Sequence, residues 1–537
     1  MSVYCQYNKG FQWHSNNNTF AKGYLYDEQN KLFADEQIIQ YFDKATTVEI
    51  FQKKLRTANG FFLIIKKIEG GWVAAVDHIR SMPLFFSKKE NEILISDNAF
   101  YLHAKFGKNE INSLQKSSFL LAGYTLENHT LVDEVLQLEA GQYLYFNGGI
   151  VMINDYYKHQ RGNYSLKRDK DRIEELNQIS KNIFKRLIQK ADGRQLVIPL
   201  SGGYDSRYIV AMLKQIGYEN VVTYTYGIPS SYEVKIAQKV AERLNYKWHF
   251  IEYPKDWTPY YECHDYQIFA SQLASLPHEQ DFLAVKYLKK KKLIDDDAIL
   301  VPGFCGDVLG GSFVPDFYKE DLRVDETKLK NHILKTQFCY ENKINKKMQV
   351  RLSNQIEKII INHSKVTTIN EFVNVNEWFY TKNTGSKYIV NGLRVYEYFG
   401  YEWSMPLWDK ELIEWWYRQP NQDRVGEERL YNSYLLNHIF AKNNIAIVKN
   451  KKGVPSSKVK KLLGKKIMNL GRIAFINSPF FNDINGIIPL VKLYQKDLVQ
   501  AKQGALMTTR LNKIMAAWTM MFLEKTINNI KKKFENI

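Results

Sequence analysis

A chain of 537 residues exceeds the size at which one hydrophobic core stops growing, so at least two domains are expected. Its 45% hydrophobic and 25% charged residues exclude a disordered or low-complexity polypeptide. The formal charge of +18, from 75 basic against 57 acidic residues, gathers in short runs such as Lys289 to Lys292 and Lys531 to Lys533. No zinc-finger, RRM or KH signature accompanies them, so they read as solvated surface and no specific nucleic-acid partner is expected. Cys5, Cys263, Cys305 and Cys339 are too few and too scattered for a disulfide framework, and no CxxC pair points to zinc. A reducing cytoplasm is the expected compartment. The N-terminus shows no basic region followed by an apolar stretch, and no uninterrupted apolar run of about 18 residues predicts a membrane span.

Residues 1 to about 155 read as β-rich. Short β-branched or aromatic runs at Phe61 to Lys66, Trp72 to Asp77, Pro83 to Ser87, Glu92 to Ser96 and Gln142 to Phe146 are separated by turn residues such as Gly70, Gly71, Asn147, Gly148 and Gly149. A polar stretch, Lys158 to Lys170, places a boundary near residue 160, giving domains of 1–160 and 161–537. A long helix follows, with Ile173, Leu176, Ile179, Ile183 and Leu187 near helical spacing. Strand and helix then alternate: strand Gln195 to Leu200, helix Ser206 to Ile216, strand Val221 to Tyr226, helix Tyr232 to Leu244, strand Trp248 to Tyr253, and a further strand at Ala298 to Val301. This order predicts βαβ crossovers and a doubly wound parallel sheet, an α/β fold. Beyond about residue 320 the pattern is mostly helical, with aromatic clusters at Trp378 to Tyr380 and Trp415 to Tyr417.

The segment 196–206 reads LVIPLSGGYDS. A strand ends at Leu200, a glycine pair permits a tight turn, and a helix starts by Ser206. Amides freed at that helix start, together with the helix dipole, favour a pyrophosphate in the turn. The hydroxyls of Ser201 and Ser206 can add hydrogen bonds, whereas Asp205 would repel phosphate unless a divalent cation lies between them. A plain βα turn with Asp205 as a helix cap is the alternative that position alone leaves open.

SGGYDS resembles the SGGxDS signature of the ATP pyrophosphatase loop, and no lysine follows the glycines as it would in a Walker loop. The resemblance implies adenylation, with ATP bound by Ser201, Gly202, Gly203, Asp205, Ser206 and Gly303. Further segments are similar to the asparagine synthetase family across nearly the whole chain. VPGFCGDVLGG at 301–311 resembles the family's second metal loop, placing Asp307 with Asp205 as ligands of Mg2+, although the loop is one residue shorter and Val308 stands where glutamate is usual. RVYEYFGYEWSMPLWD at 394–409 is similar to the stretch ending SLEARVPFLD, which places Arg394 and Glu402 near the acyl-adenylate, with Ser404 in place of the usual arginine. VKNKKGVP at 448–455 resembles the KxGF loop and puts Lys451, or its neighbour Lys452, on the lysine that steadies the transition state.

NGFFLIIKK and AAVDHIRSMPLFFS, within 59–87, look like the family's DGxFAF and RDxxGxxPLYY. An αββα sandwich of the N-terminal nucleophile hydrolase type is therefore expected over the first 160 residues. The thiol nucleophile of that type is missing, since position 2 is Ser2, and the glutamine-holding segments have only GYLYD at 23–27 as a remnant. The expected function is an ATP-dependent amide-forming ligase that adenylates a small-molecule, peptide or sugar carboxylate and passes it to ammonia or an acceptor amine. Glutamine-hydrolysing asparagine synthesis and a non-catalytic ATP-binding scaffold are the alternatives. The sequence does not set the oligomeric state.

Overall fold

The computed structural model describes the chain apart from residues 109, 254–255, 305, 320–322, 341, 426–429, 448–486, 502–510 and 535–537; the side chains of 307, 316, 319 and 531–534 are likewise outside the description. The N-terminal part is organised on the strand Asn59–Ile68. Alternate residues of a strand point to opposite faces: Phe61, Leu63 and Ile65 enter one core and Phe62, Ile64 and Ile68 another. Coverage on both faces explains why NGFFLIIKKI carries so long an apolar run.

This strand pairs antiparallel with Thr19–Tyr26 and Gly71–Val76 in a seven-stranded sheet. Helices Gln37–Phe42 and Val48–Thr57 cover one face through Ile38, Phe42, Phe51 and Leu55. On the other face a four-stranded sheet, including Phe85–Lys89 and Glu92–Ser96, shares the core of Phe61 with the helix Ala99–Phe106. The layers are αββα, as the resemblance implied. The β-rich reading omitted these helices because they are short; two of them start at a capping side chain, Thr47 for Val48–Thr57 and Asn98 for Ala99–Phe106. It also passed over Thr19–Tyr26, whose Gly23 looks like a strand breaker. Gly23 has φ +102°, and a Cβ there would meet the Phe61 carbonyl at 2.2 Å, so the strand depends on the missing side chain.

The boundary expected near residue 160 falls in irregular chain between Ile150–Asp155 and the helix Asp169–Ala191. Two ion pairs tie the two parts, Lys387 to Glu139 out of solvent and Lys382 to the exposed Asp155, each at 2.9 Å, and one apolar core runs from Phe11 to Ile530.

The second part holds a five-stranded sheet in the order Lys247–Glu252, Val221–Gly227, Leu196–Pro199, Ile299–Leu300, Glu402–Trp403, with every pairing parallel. Connections leave the central strand Leu196–Pro199 in both directions, which makes the sheet doubly wound and creates a crevice at that strand's C-terminal end. Beyond residue 300 the described chain is mostly helical and ends in Leu511–Phe534. No helix among the described residues is long and apolar enough to cross a membrane.

Candidate active site

The loop 201–203 leaves the central strand at the switch point and feeds the helix Tyr204–Ile216, whose N-cap Gly203 supplies no side-chain hydrogen bond. The positive end of that helix is therefore left to other partners. The two serines shape the turn: Ser206 Oγ accepts from the Ser201 amide at 3.0 Å, and Ser201 Oγ accepts from the Gly203 amide at 3.0 Å. Behind the loop, Arg207 donates to the carbonyls of Gly203 at 2.9 Å and Gly202 at 3.3 Å. The same guanidinium donates to the Ile447 carbonyl at 2.8 Å, which anchors the chain just before residue 448 to the back of the loop.

The second loop arrives on the other side of Asp205. A Cβ added at Gly303 would lie 2.8 Å from the Ser206 amide, and one at Gly306 would lie 2.0 Å from Asp205 Oδ1. Both glycines are needed for this approach. Asp307 is the second residue of the short helix Gly306–Leu309, so its backbone adjoins the Asp205 carboxylate. Buried Arg424 holds this loop by donating to the Val308 carbonyl, and Arg424 is itself paired with Glu377 at 2.6 Å.

Ser201, Gly203, Asp205, Ser206 and Gly303 line one cavity of about 390 Å³. Gly202 stands behind it, where a Cβ would touch Glu233 Cα at 3.2 Å. Other residues of the lining were not anticipated: Tyr224, Tyr226, Tyr253, Glu279 and Asp281. Asp281 accepts from the phenols of Tyr224 and Tyr396, both at 3.0 Å. Burial pushes its carboxyl up to about 6 and that of Glu279 up to about 7. The available signal was HEQD at 278–281, two acids placed just before the helix Phe282–Lys290 in an otherwise apolar stretch.

Two expected residues lie elsewhere. Glu402 is in register with Ile299, which is in register with Leu196, the first residue of the central strand. Ser201 is five residues further on, roughly 16 Å at strand rise. The Glu402 carboxylate is instead taken by Lys190 and, at 2.9 Å, by Arg194. Burial alone would raise it, but these cations hold it below the usual carboxylate range. The physical reason is the buried Lys190 ammonium, whose side chain is 3% exposed and needs a carboxylate. Arg394 is likewise buried away from the cavity, paired with Glu397 and lying 3.9 Å over the Phe269 ring. Lys451 and Lys452 lie outside the described residues, as does the side chain of Asp307.

Residues 188–452 match the family model described as asparagine synthase. A comparison with curated proteins finds no match. Solved structures that are similar include NMN synthetase from Francisella tularensis, 13% identical, covering 41% of this chain and 97% of that one with a TM-score of 0.21. NH3-dependent NAD synthetase from Campylobacter jejuni subsp. jejuni is 13% identical, covering 38% of this chain and 99% of that one, with a TM-score of 0.19. Glutamine phosphoribosylpyrophosphate amidotransferase from B. subtilis is 9% identical, covering 55% of this chain and 63% of that one, with a TM-score of 0.18. At these scores the likenesses add nothing to the fold described above.

Proposed function

We propose, with residues 188–452 identified as an asparagine synthase-family domain, that this chain is an ATP-dependent amide ligase that forms AMP and pyrophosphate. The observation that carries the reading is the convergence of Gly303 and Gly306 on Ser206 and Asp205, which sets a phosphate-binding turn beside a carboxylate at the switch point of a parallel sheet. The helix start, with the amides of the turn that are not spent on the serine hydroxyls, binds the pyrophosphate part of ATP, the substrate carboxylate attacks the α-phosphorus, and pyrophosphate leaves. An amine nitrogen then attacks the acyl carbon and AMP leaves.

Hard oxygen donors fit Mg2+, which is held by one or two carboxylates together with substrate phosphates. Asp205 and Asp307 are the residues that would hold it, and when bound it would neutralise the charge of the departing pyrophosphate. Lys451, or its neighbour Lys452, would supply the cation at the α-phosphate. The free thiol of Cys5 does not favour glutamine hydrolysis: burial first, and then Asp97, raise it well above an ordinary thiol. The domains fall at 1–160 and 161–537 in this reading, with the second carrying the chemistry.

The test is nucleotide analysis after incubation with ATP, Mg2+ and a panel of carboxylates. AMP and pyrophosphate formation that is lost in Asp205→Asn is the expected result; ADP and phosphate, or no carboxylate-dependent turnover, would overturn the proposal.

A further inference from the structure

In the same cavity as the phosphate loop, Glu279 is 1% exposed, and its Oε2 has no hydrogen-bond partner among the described residues. The Tyr253 hydroxyl in the same lining has none either. An ionised carboxylate taken out of water is costly unless a cation answers it. The charge that acts on Glu279 is of its own sign, from Asp281, whose oxygens are already engaged by Tyr224 and Tyr396. Beside it the rings of Tyr226 and Tyr253 stack at 4.8 Å between centroids and 8° between planes, and both line the cavity. A buried carboxylate with an unpartnered oxygen, set beside stacked phenol rings, is the environment that receives an organic ammonium, through charge on one side and ring quadrupoles on the other.

We infer that Glu279 is the residue that binds the amine substrate as its ammonium ion and takes a proton from it, with Tyr226 and Tyr253 forming the aromatic wall of the same subsite. The inference rests on the ligase reading and gives the amine a place in it. Proton balance is as follows. The bound R–NH3+ gives one proton to Oε2 of Glu279 and becomes R–NH2. Its lone pair forms the C–N bond at the acyl carbon, and the C–O bond to the AMP phosphate breaks with its electrons going to AMP. The second proton leaves nitrogen after that bond has formed and passes to solvent. A carboxyl that burial has pushed up to about 7 accepts a proton near neutrality and returns it on product release. Asp281 holds the wall in place through its two tyrosines.

The experiment uses the full chain and three probes. Calorimetric titration with n-butylammonium and with neutral butan-1-ol is expected to show binding of the cation alone, weakened tenfold or more in Glu279→Gln and in Tyr253→Leu. ATP affinity is expected to be unchanged in both variants. Equal butylammonium binding in wild type and Glu279→Gln would overturn the inference. So would loss of Mn2+ binding in Glu279→Gln, which would make Glu279 a metal ligand. Carboxylate-dependent pyrophosphate exchange separates the two readings. Exchange present in wild type and lost in Asp205→Asn supports the ligase, whereas exchange absent from wild type overturns the ligase and leaves the titration to judge the ammonium subsite.

Discussion

The phenol of Tyr431 donates to Asp205 Oδ1 at 2.7 Å, and the backbone at Gly306 closes on the same carboxylate. Asp205 is thus aimed by contacts from two segments distant in sequence. Its direction is a property of the tertiary fold rather than of the SGGYDS turn alone.

Tyr431→Phe removes one of these contacts and leaves the ring, 5.8 Å from Trp416, in place. A hydrogen bond to a charged group contributes about 1.5–3 kcal/mol at most, and the bound substrate complex also orients Asp205. Pyrophosphate release is expected to fall by roughly three- to tenfold with an unchanged melting temperature. Rates equal to wild type would show that the phenol does not aim the carboxylate.

Gly306→Ala is expected to do more harm than its size implies. The added methyl would lie 2.0 Å from Asp205 Oδ1 and 2.1 Å from its Cγ, so Asp205 or the second loop must move. A displacement of about 1 Å at a reacting centre costs on the order of 100-fold in rate. Pyrophosphate release down by that order, in a protein whose far-ultraviolet circular dichroism is unaltered, is the expected outcome.

How far the sequence revealed this site depended on whether the chemistry was local. The turn at 201–206 and the strand before it are fixed by contiguous residues, so Ser201, Gly203, Asp205 and Ser206 were found from the order strand, glycine pair, helix. The parallel sheet followed from alternating strands and helices over 195–253. Glu402 and Arg394 fall outside the cavity lining, which aligning a short motif does not reveal, because it says nothing about which end of a strand a residue occupies. That was decided by the register of Glu402 with Ile299 and by the demand of Lys190 for a counter-ion. Glu279 and Asp281 were missed because their meaning comes from Tyr224, Tyr226 and Tyr253 on neighbouring strand ends, and no spacing in one segment encodes it.

Glu402→Gln tests this placement directly. With the carboxylate gone, the buried Lys190 ammonium keeps its rings, Tyr24 at 4.8 Å and Phe11 at 5.5 Å, but loses its counter-charge. The expected cost is about 1–3 kcal/mol of stability, read from the urea midpoint. Pyrophosphate release per folded molecule is expected to stay within about twofold of wild type at 20 °C. A variant with an unchanged midpoint and no turnover would return Glu402 to the reaction centre.

The pH dependence of stability tests whether Glu279 is buried without a cation. Its folded value, about 7, stands above the ordinary value of 4.5, so the native state binds the proton more tightly than the unfolded chain does. The contribution to stability is therefore fully present below about pH 4.5 and is lost as pH rises to about 7. Buried His78, His159 and His278, held down to about 3, 3 and 4 mainly by burial, act in the opposite sense, since the unfolded chain gains their protons as pH falls below about 6.5. Wild type alone would mix the two, so the informative quantity is its difference from Glu279→Gln, in which the histidines cancel. The advantage of the glutamine variant is expected to grow by on the order of 1–3 kcal/mol between pH 4.5 and 7.5. A difference that stays constant over that range, measured by urea unfolding without ATP or metal, would mean that a cation already answers the Glu279 carboxylate in the free protein.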